Sequence, residues 1–321
     1  MPRDNPTNNN DLIFRDAWQA RDSITKAQER AIRKLYNEWA KEIREQAKSL
    51  SHTSGSTQSQ RELAQLYYQL RSASKQLTTE INSSVRDNVT WMGDVVHRVN
   101  REWLASLGFT PESIDRKFSQ AKDMAIRNIL TGNLYEGGRP LSERVWQLTD
   151  SNMKDIYTII SRGIAENQSI YDIAKQLEKY VSPDAKLQWR VQRWMENGRP
   201  RTGIIHNGKV DYNAQRLART MIQHAYQQTL VALTRDNPFV RGYIWRADGN
   251  HPCSLCIDRD GTRYSADNMP MDHPNGQCTI EVDIDQVEVV QRMADYSLSP
   301  EEYQDMLQFF KDLDFRPWGH N

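Results

Sequence analysis

The sequence predicts a mainly α protein: a long N-terminal helical hairpin or bundle, followed by a small α+β C-terminal module with a Cys/His knuckle. Three observations carry this. Apolar residues recur at steps of three and four up to about Arg235, the period of helices buried on one face. Beyond Pro238 the pattern changes to short aromatic and β-branched stretches broken by turns. All three cysteines fall between positions 253 and 278.

Taken in order, residues 1–10 (MPRDNPTNNN) are polar and read as a disordered tail. Residues 11–135 form an extended helical N-terminal region. In its first helix, Ile32, Leu35, Trp39, Ile43, Ala47 and Leu50 line one face, and the stretch 51–59 is a small, polar linker. A second seam runs from Leu63 through Leu70, Ile81, Val89 and Val96 to Trp103, and Gly108 ends it. Two long helices joined by a short loop predict an antiparallel hairpin, with Ser74, Ser84 and Asn88 as polar positions beside the seam. Thr110-Pro111 restarts the chain as N-cap and first helical residue.

Residues 140–235 form a helical middle region. Helices are predicted over 141–165, over 169–180 with Ser169 and Asp172 as a cap, from Pro183 through Trp189 and Trp194, and over 211–235. Asn197-Gly198-Arg199-Pro200 is a turn cluster, and 201–210 suits a small hairpin. Residues 236–290 form the Cys/His-containing α+β module, with strands near 239–245, 261–264 and 279–284. Residues 291–321 supply a C-terminal helix and tail.

Composition narrows the function. The 321 residues carry 42 Lys+Arg and 42 Asp+Glu, and mean hydropathy is -0.80. A protein whose whole task is gripping a phosphate backbone carries a basic excess, so neutrality argues against that as the entire role, while leaving room for a local basic face. No apolar run reaches membrane-spanning length, and the N-terminus has no apolar signal region.

The chemistry-bearing segment is His251-Pro-Cys253-Ser-Leu-Cys256 followed by Asp272-His273-Pro-Asn-Gly-Gln-Cys278. A Cys-x-x-Cys turn points two thiolates at one ion, and a distant His and Cys can complete a tetrahedron. Cys253, Cys256, His273 and Cys278 are therefore candidate ligands of a structural zinc ion. A disulfide, or plain buried thiols, are the alternatives, and His251 is a spare ligand. His52, His97, His206 and His224 stand alone and read as surface or core histidines. Trp39, Trp91, Trp103, Trp146, Trp189 and Trp194 sit at apolar helical positions and read as core. No P-loop, GxSxG, HExxH or GxGxxG is present, and no catalytic residue is assigned.

The order of motifs in the C-terminal half resembles a known family. Arg219-Thr220-Met221-Ile222-Gln223-His224-Ala225-Tyr226 is followed by Gly242-Tyr243-Ile244-Trp245-Arg246-Ala247, Cys253-Ser-Leu-Cys256, Asp260-Gly261 and Asp272-His273-Pro-Asn-Gly-Gln-Cys278. This resembles the phage head morphogenesis proteins, the Mu F-like or SPP1-type minor head family, over about residues 140–285. Two positions depart from the family pattern: Met221 stands for a Glu, and Gly276 for the first Cys of the closing motif. The resemblance implies a virion protein of a tailed bacteriophage, made in the host cytoplasm and held in the capsid interior or at the portal vertex. Its implied partners are the portal protein and also scaffold, major capsid protein or packaged DNA. Its implied roles are capsid assembly, DNA packaging or DNA ejection. The alternatives are a zinc-braced nuclease, with His273 activating water, and a DNA-binding adaptor.

Overall fold

The computed structural model describes residues 14–48, 50, 57–106, 111–135, 137–183, 191–196, 199–204, 210–237, 239–247 and 252–284. The N-terminal tail, residues 51–56 of the linker, Gly108, Thr110, the C-terminal helix and tail, and His52, Trp189, His206 and His251 lie outside them. The chain is mainly helical. Its helices are α1 (Arg15–Ala47), α2 (Thr57–Ser106), α3 (Pro111–Thr131), α4 (Leu141–Ala165), α5 (Ile170–Val181), α6 (Tyr212–Thr234) and α7 (Ser254–Arg259). The strands are β1 (Val191–Glu196), β2 (Arg199–Ile204), β3 (Val240–Arg246), β4 (Arg263–Tyr264) and β5 (Thr279–Ile284). No described helix is long and apolar enough to cross a membrane.

Two compact units are assembled from stretches distant in sequence. One gathers the described residues of Met1–Lys26, Val85–Leu141 and Leu217–Asn321, and the other those of Ala27–Ser84 and Ser142–Arg216.

In the second unit, α1 and α2 run antiparallel, as the hairpin reading requires. Gln28 bonds Ser84 at 3.0 Å, while Leu35 and Trp39 share a groove with Ala73 and Leu77. Ile32, Trp39, Ile43, Leu66, Leu70, Leu77 and Ile81 are buried. Each such side chain contributes about 1.5–3 kcal/mol by leaving water. Helix α5 starts where the sequence places it. Ser169 Oγ accepts the Asp172 N–H at 3.1 Å and donates to Asp172 Oδ2 at 2.6 Å, satisfying an orphan donor of the first turn.

Of the helix predicted from Pro183 through Trp194, residues 184–190 lie outside the described ones, and from Val191 the chain is a strand instead. Val191–Glu196 and Arg199–Ile204 are paired antiparallel strands, with Glu196 opposite Arg199. The two residues between them are Asn197-Gly198, a pair suited to the positive φ angles of two-residue hairpin loops. The hairpin therefore lies ahead of the predicted 201–210.

In the first unit, β3 is the centre of a three-stranded antiparallel sheet of order β4-β3-β5. Tyr243 pairs with Val282 and Trp245 with Ile280, and all four are buried. On the other face, Arg246 pairs with Glu281 and Arg263 with Asp283, both at 2.6 Å. Gly242 sits at φ +151, where a Cβ would lie 2.7 Å from the Tyr264 carbonyl, so the β3–β4 approach requires glycine here. Helix α6 packs on this sheet through Tyr226, whose hydroxyl reaches the Ile280 carbonyl, and Thr234, whose hydroxyl meets that of Tyr243 at 2.9 Å.

The tryptophans divide. Trp39 and Trp103 are core, but Trp91 and Trp146 are 54% and 56% exposed, contrary to the core reading. Trp194 lies on β1 rather than on a helix.

Candidate metal centre

Three segments build the centre. The first is the turn that opens α7. Cys253 caps this helix and Cys256 lies in its first turn, with the Cys256 N–H donating to the Cys253 carbonyl at 3.0 Å. That winding brings the two sulfurs to 3.5 Å. Strand β3 fixes the turn from behind. Asp260 accepts the Ala247 N–H at 3.0 Å, the Gly261 N–H donates to the Trp245 carbonyl, and the Arg259 guanidinium lies 5.2 Å above the buried Trp245 ring.

The second segment is the loop 272–278. The Gly276 N–H returns to the His273 carbonyl at 2.8 Å, Pro274 occupies the second turn position, and Asn275 has φ 71. This is a type II turn, with proline presetting one corner and asparagine taking the left-handed one. The buried Asp272 carboxylate closes the loop by accepting the N–H groups of His273 at 2.8 Å and Cys278 at 3.0 Å. A Cβ at Gly276 would fall 2.1 Å from Asp272 Oδ1. Position 276 therefore has no room for any side chain while Asp272 is folded inward.

The third segment is one polar face of α6. Thr220 accepts the Asn275 N–H at 2.9 Å, and Arg219 bonds the Asn275 side-chain oxygen. Gln223 donates to the Cys278 carbonyl. His224 Nε2 donates to the Asp272 carbonyl, and Gln227 accepts the Asp272 N–H. Residues 219, 220, 223, 224 and 227 recur at helical spacing, so a single helix face holds the whole loop. From α1, the buried Arg21 adds a bond to the Cys278 carbonyl at 3.0 Å and another to Gln223 at 2.9 Å. His224 is thus a satisfied core histidine, its Nδ1 3.0 Å from the Tyr135 hydroxyl.

The result is a set of converging donors. The ligand atoms of Cys253, Cys256 and His273 lie within 4.8 Å of one another, as do those of Cys256, Asp272 and Cys278. The four residues singled out in the sequence come together, with Cys256 common to both groups and Asp272 as an added neighbour. This cluster could hold a metal ion. A tetrahedral zinc ion with bonds of about 2.3 Å to sulfur and 2.0 Å to nitrogen spans edges of about 3.5–3.8 Å. The Cys253–Cys256 separation of 3.5 Å and the Cys253–His273 Nε2 separation of 3.3 Å fit that frame. His273 Nδ1 lies 3.1 Å from the Pro274 carbonyl, which can only accept. That contact orients the ring so that Nε2 faces Cys253, the arrangement a histidine ligand needs.

Charge supports the same chemistry. The backbone N–H of Cys256 holds the exposed Cys253 thiol below its ordinary range. Burial pushes the Cys256 thiol up, and burial raises Asp272. A divalent cation would supply the charge that makes buried thiolates favourable. None of the three cysteines is disulfide-bonded.

Asp272 and the polar face of α6 are the parts sequence reading missed. The signal for α6 was present: Thr220, Gln223, His224 and Gln227 recur at steps of three and four along one helix. Comparison with known protein families, characterised proteins and solved structures finds no match to this chain.

Proposed function

We propose that this chain is a minor head protein of a tailed bacteriophage, held near the portal, with a C-terminal module braced by a zinc ion on Cys253, Cys256, His273 and Cys278. In this reading it acts in capsid assembly, DNA packaging or DNA ejection, and it is not an enzyme. The supporting observation is that the Arg219–Tyr226 helix, the Cys-x-x-Cys turn and the closing His-Pro-Asn loop interlock as one module. These are segments whose order resembles the family. Asn275 is engaged by Arg219 and Thr220, and Asp272 by two backbone N–H groups, so both serve the loop's shape.

The test is co-purification of the full chain with the portal protein of the same genome, alongside metal analysis. A stable complex and about one zinc per chain are expected. Failure to retain the chain on the portal oligomer overturns the virion reading, and a metal-free chain with chelator-insensitive melting overturns the zinc assignment. Plasmid cleavage with divalent metal, abolished by His273→Ala, would favour the nuclease instead.

A further inference from the structure

We infer that the outer face of α1 in the second unit is a binding surface for the phosphate backbone of duplex nucleic acid. At roughly 100° per residue, Arg30, Arg33, Lys34, Lys41, Arg44 and Lys48 fall with Asn37 inside a sector of roughly 100°. Every acidic residue of this stretch, Glu29, Glu38, Glu42 and Glu45, falls outside it. Glu38 and Glu42 instead line the groove shared with α2, together with Glu80. The chain's formal neutrality therefore conceals a locally segregated charge.

The cations are displayed to solvent. Arg30 and Lys41 are exposed, and the side chains of Lys34, Arg44 and Lys48 are 76%, 54% and 66% exposed. Some touch acids at the margin: Lys34 lies 3.7 Å from Glu38, Arg44 bonds Glu178 and Lys48 bonds Glu45. Arg30, Arg33, Lys34, Asn37 and Lys41 line one shallow depression together with a single acid, Glu38.

The geometry selects among polyanions. From Arg30 to Ala47 the helix runs about 26 Å, comparable to most of one turn of duplex, whose charges come about every 1.7 Å along the axis. Lysine, arginine and asparagine are the side chains that contact phosphates. The sector holds no aromatic or large aliphatic residue. The helix's own apolar face, with Ile32, Trp39 and Ile43, is already buried. A helix lying in a lipid interface needs that face free, and a protein partner would call for apolar or aromatic anchors. Phosphate contacts carry no sequence information, so a face that grips the backbone should bind duplexes independently of sequence. This inference stands on the charge arrangement and does not require the virion reading.

The experiment measures binding of the full chain to two unrelated labelled duplexes of about 30 base pairs, between about 50 and 200 mM salt. Arg30→Gln/Lys34→Gln/Lys41→Gln is compared with a control of equal charge loss, Arg71→Gln/Lys154→Gln/Arg162→Gln, after circular dichroism shows both to be helical. Wild type should bind both duplexes alike. The α1 variant should lose at least about tenfold in affinity at low salt, and its salt slope should fall by about 2–3. The control should stay within about twofold of wild type at the same salt. Absence of wild-type binding, equal losses in both variants, or binding to phosphatidylserine vesicles but not to duplex would overturn the assignment.

Discussion

The α1–α2 hairpin of the second unit and the cysteine loop of the first are held by opposite means. The hairpin is a repetitive apolar seam in which Ile32, Ile43, Leu66, Leu70 and Ile81 are almost fully buried. Its burial is spread over many apolar side chains, with the Gln28–Ser84 bond beside them. The loop 272–278 buries little apolar surface of its own. It is fixed by directed bonds from Thr220, Gln223, His224, Gln227 and Arg21, and by an inward carboxylate. A seam degrades gradually as side chains are trimmed. A polar clamp fails abruptly, because each lost partner strands another buried group.

Metal removal tests this difference most severely. Structural zinc contributes about 10 kcal/mol or more in small domains, so, on the proposed zinc assignment, chelation or Cys256→Ser should lower the melting temperature further than trimming any one side chain of the hairpin seam. Near-ultraviolet circular dichroism should report loss of packing around Trp245, while far-ultraviolet helicity persists. Ile81→Ala comes next, at about 3 kcal/mol in denaturant unfolding; a loss below about 1 kcal/mol would show that the seam does not rest on this side chain.

Gly276→Ala should cost about 2 kcal/mol, the scale of overpacking. Combined with Asp272→Ala it should cost less than the sum of the single changes, because the smaller side chain vacates the space. Strict additivity in that cycle would show that the two positions do not compete. Ser169→Ala should cost about 1 kcal/mol through the lost cap of α5, read by the same unfolding curves.

The smallest expected effect is a pH dependence in the first unit. Burial, aided by Lys122, holds His97 below its usual pKa, against the pull of Asp115 and Asp94. A histidine depressed in the folded state stabilises above its unfolded pKa of about 6.5 and loses that contribution as pH falls through the folded value. Stability should therefore decline on going from neutral to mildly acidic pH, and His97→Gln should flatten the decline.

These two regions also differ in how far the sequence reveals them. The helices declare themselves because a buried stripe must repeat at the helical period, and Leu141–Ala165 agrees with its predicted bounds to the residue. Strands β3 and β5 show as β-branched and aromatic alternation. The clustering of Cys253, Cys256, His273 and Cys278 was legible because few residue types bind metal and their spacing is short. What escaped depends on three-dimensional neighbours. Trp91 and Trp146 carry core-type side chains on exposed positions, and residue type alone does not say which side of a helix has a partner. Strand β1 was hidden because Trp189 and Trp194 read as a helix stripe, although the sequence already places a turn cluster at 197–200. Asp272 shows its role only through two backbone N–H groups and an empty Cβ position four residues away.

That empty position constrains how the sequence can drift. Asp272 and Gly276 form a lock in which neither changes freely. Any lineage that gains a cysteine at 276, and with it a possible further ligand, must first give up or reorient the carboxylate at 272. A lineage that keeps the aspartate keeps the glycine. Closing loops of this type should therefore fall into two exclusive forms, one fastened from within by a carboxylate and one richer in thiols, with intermediates selected against.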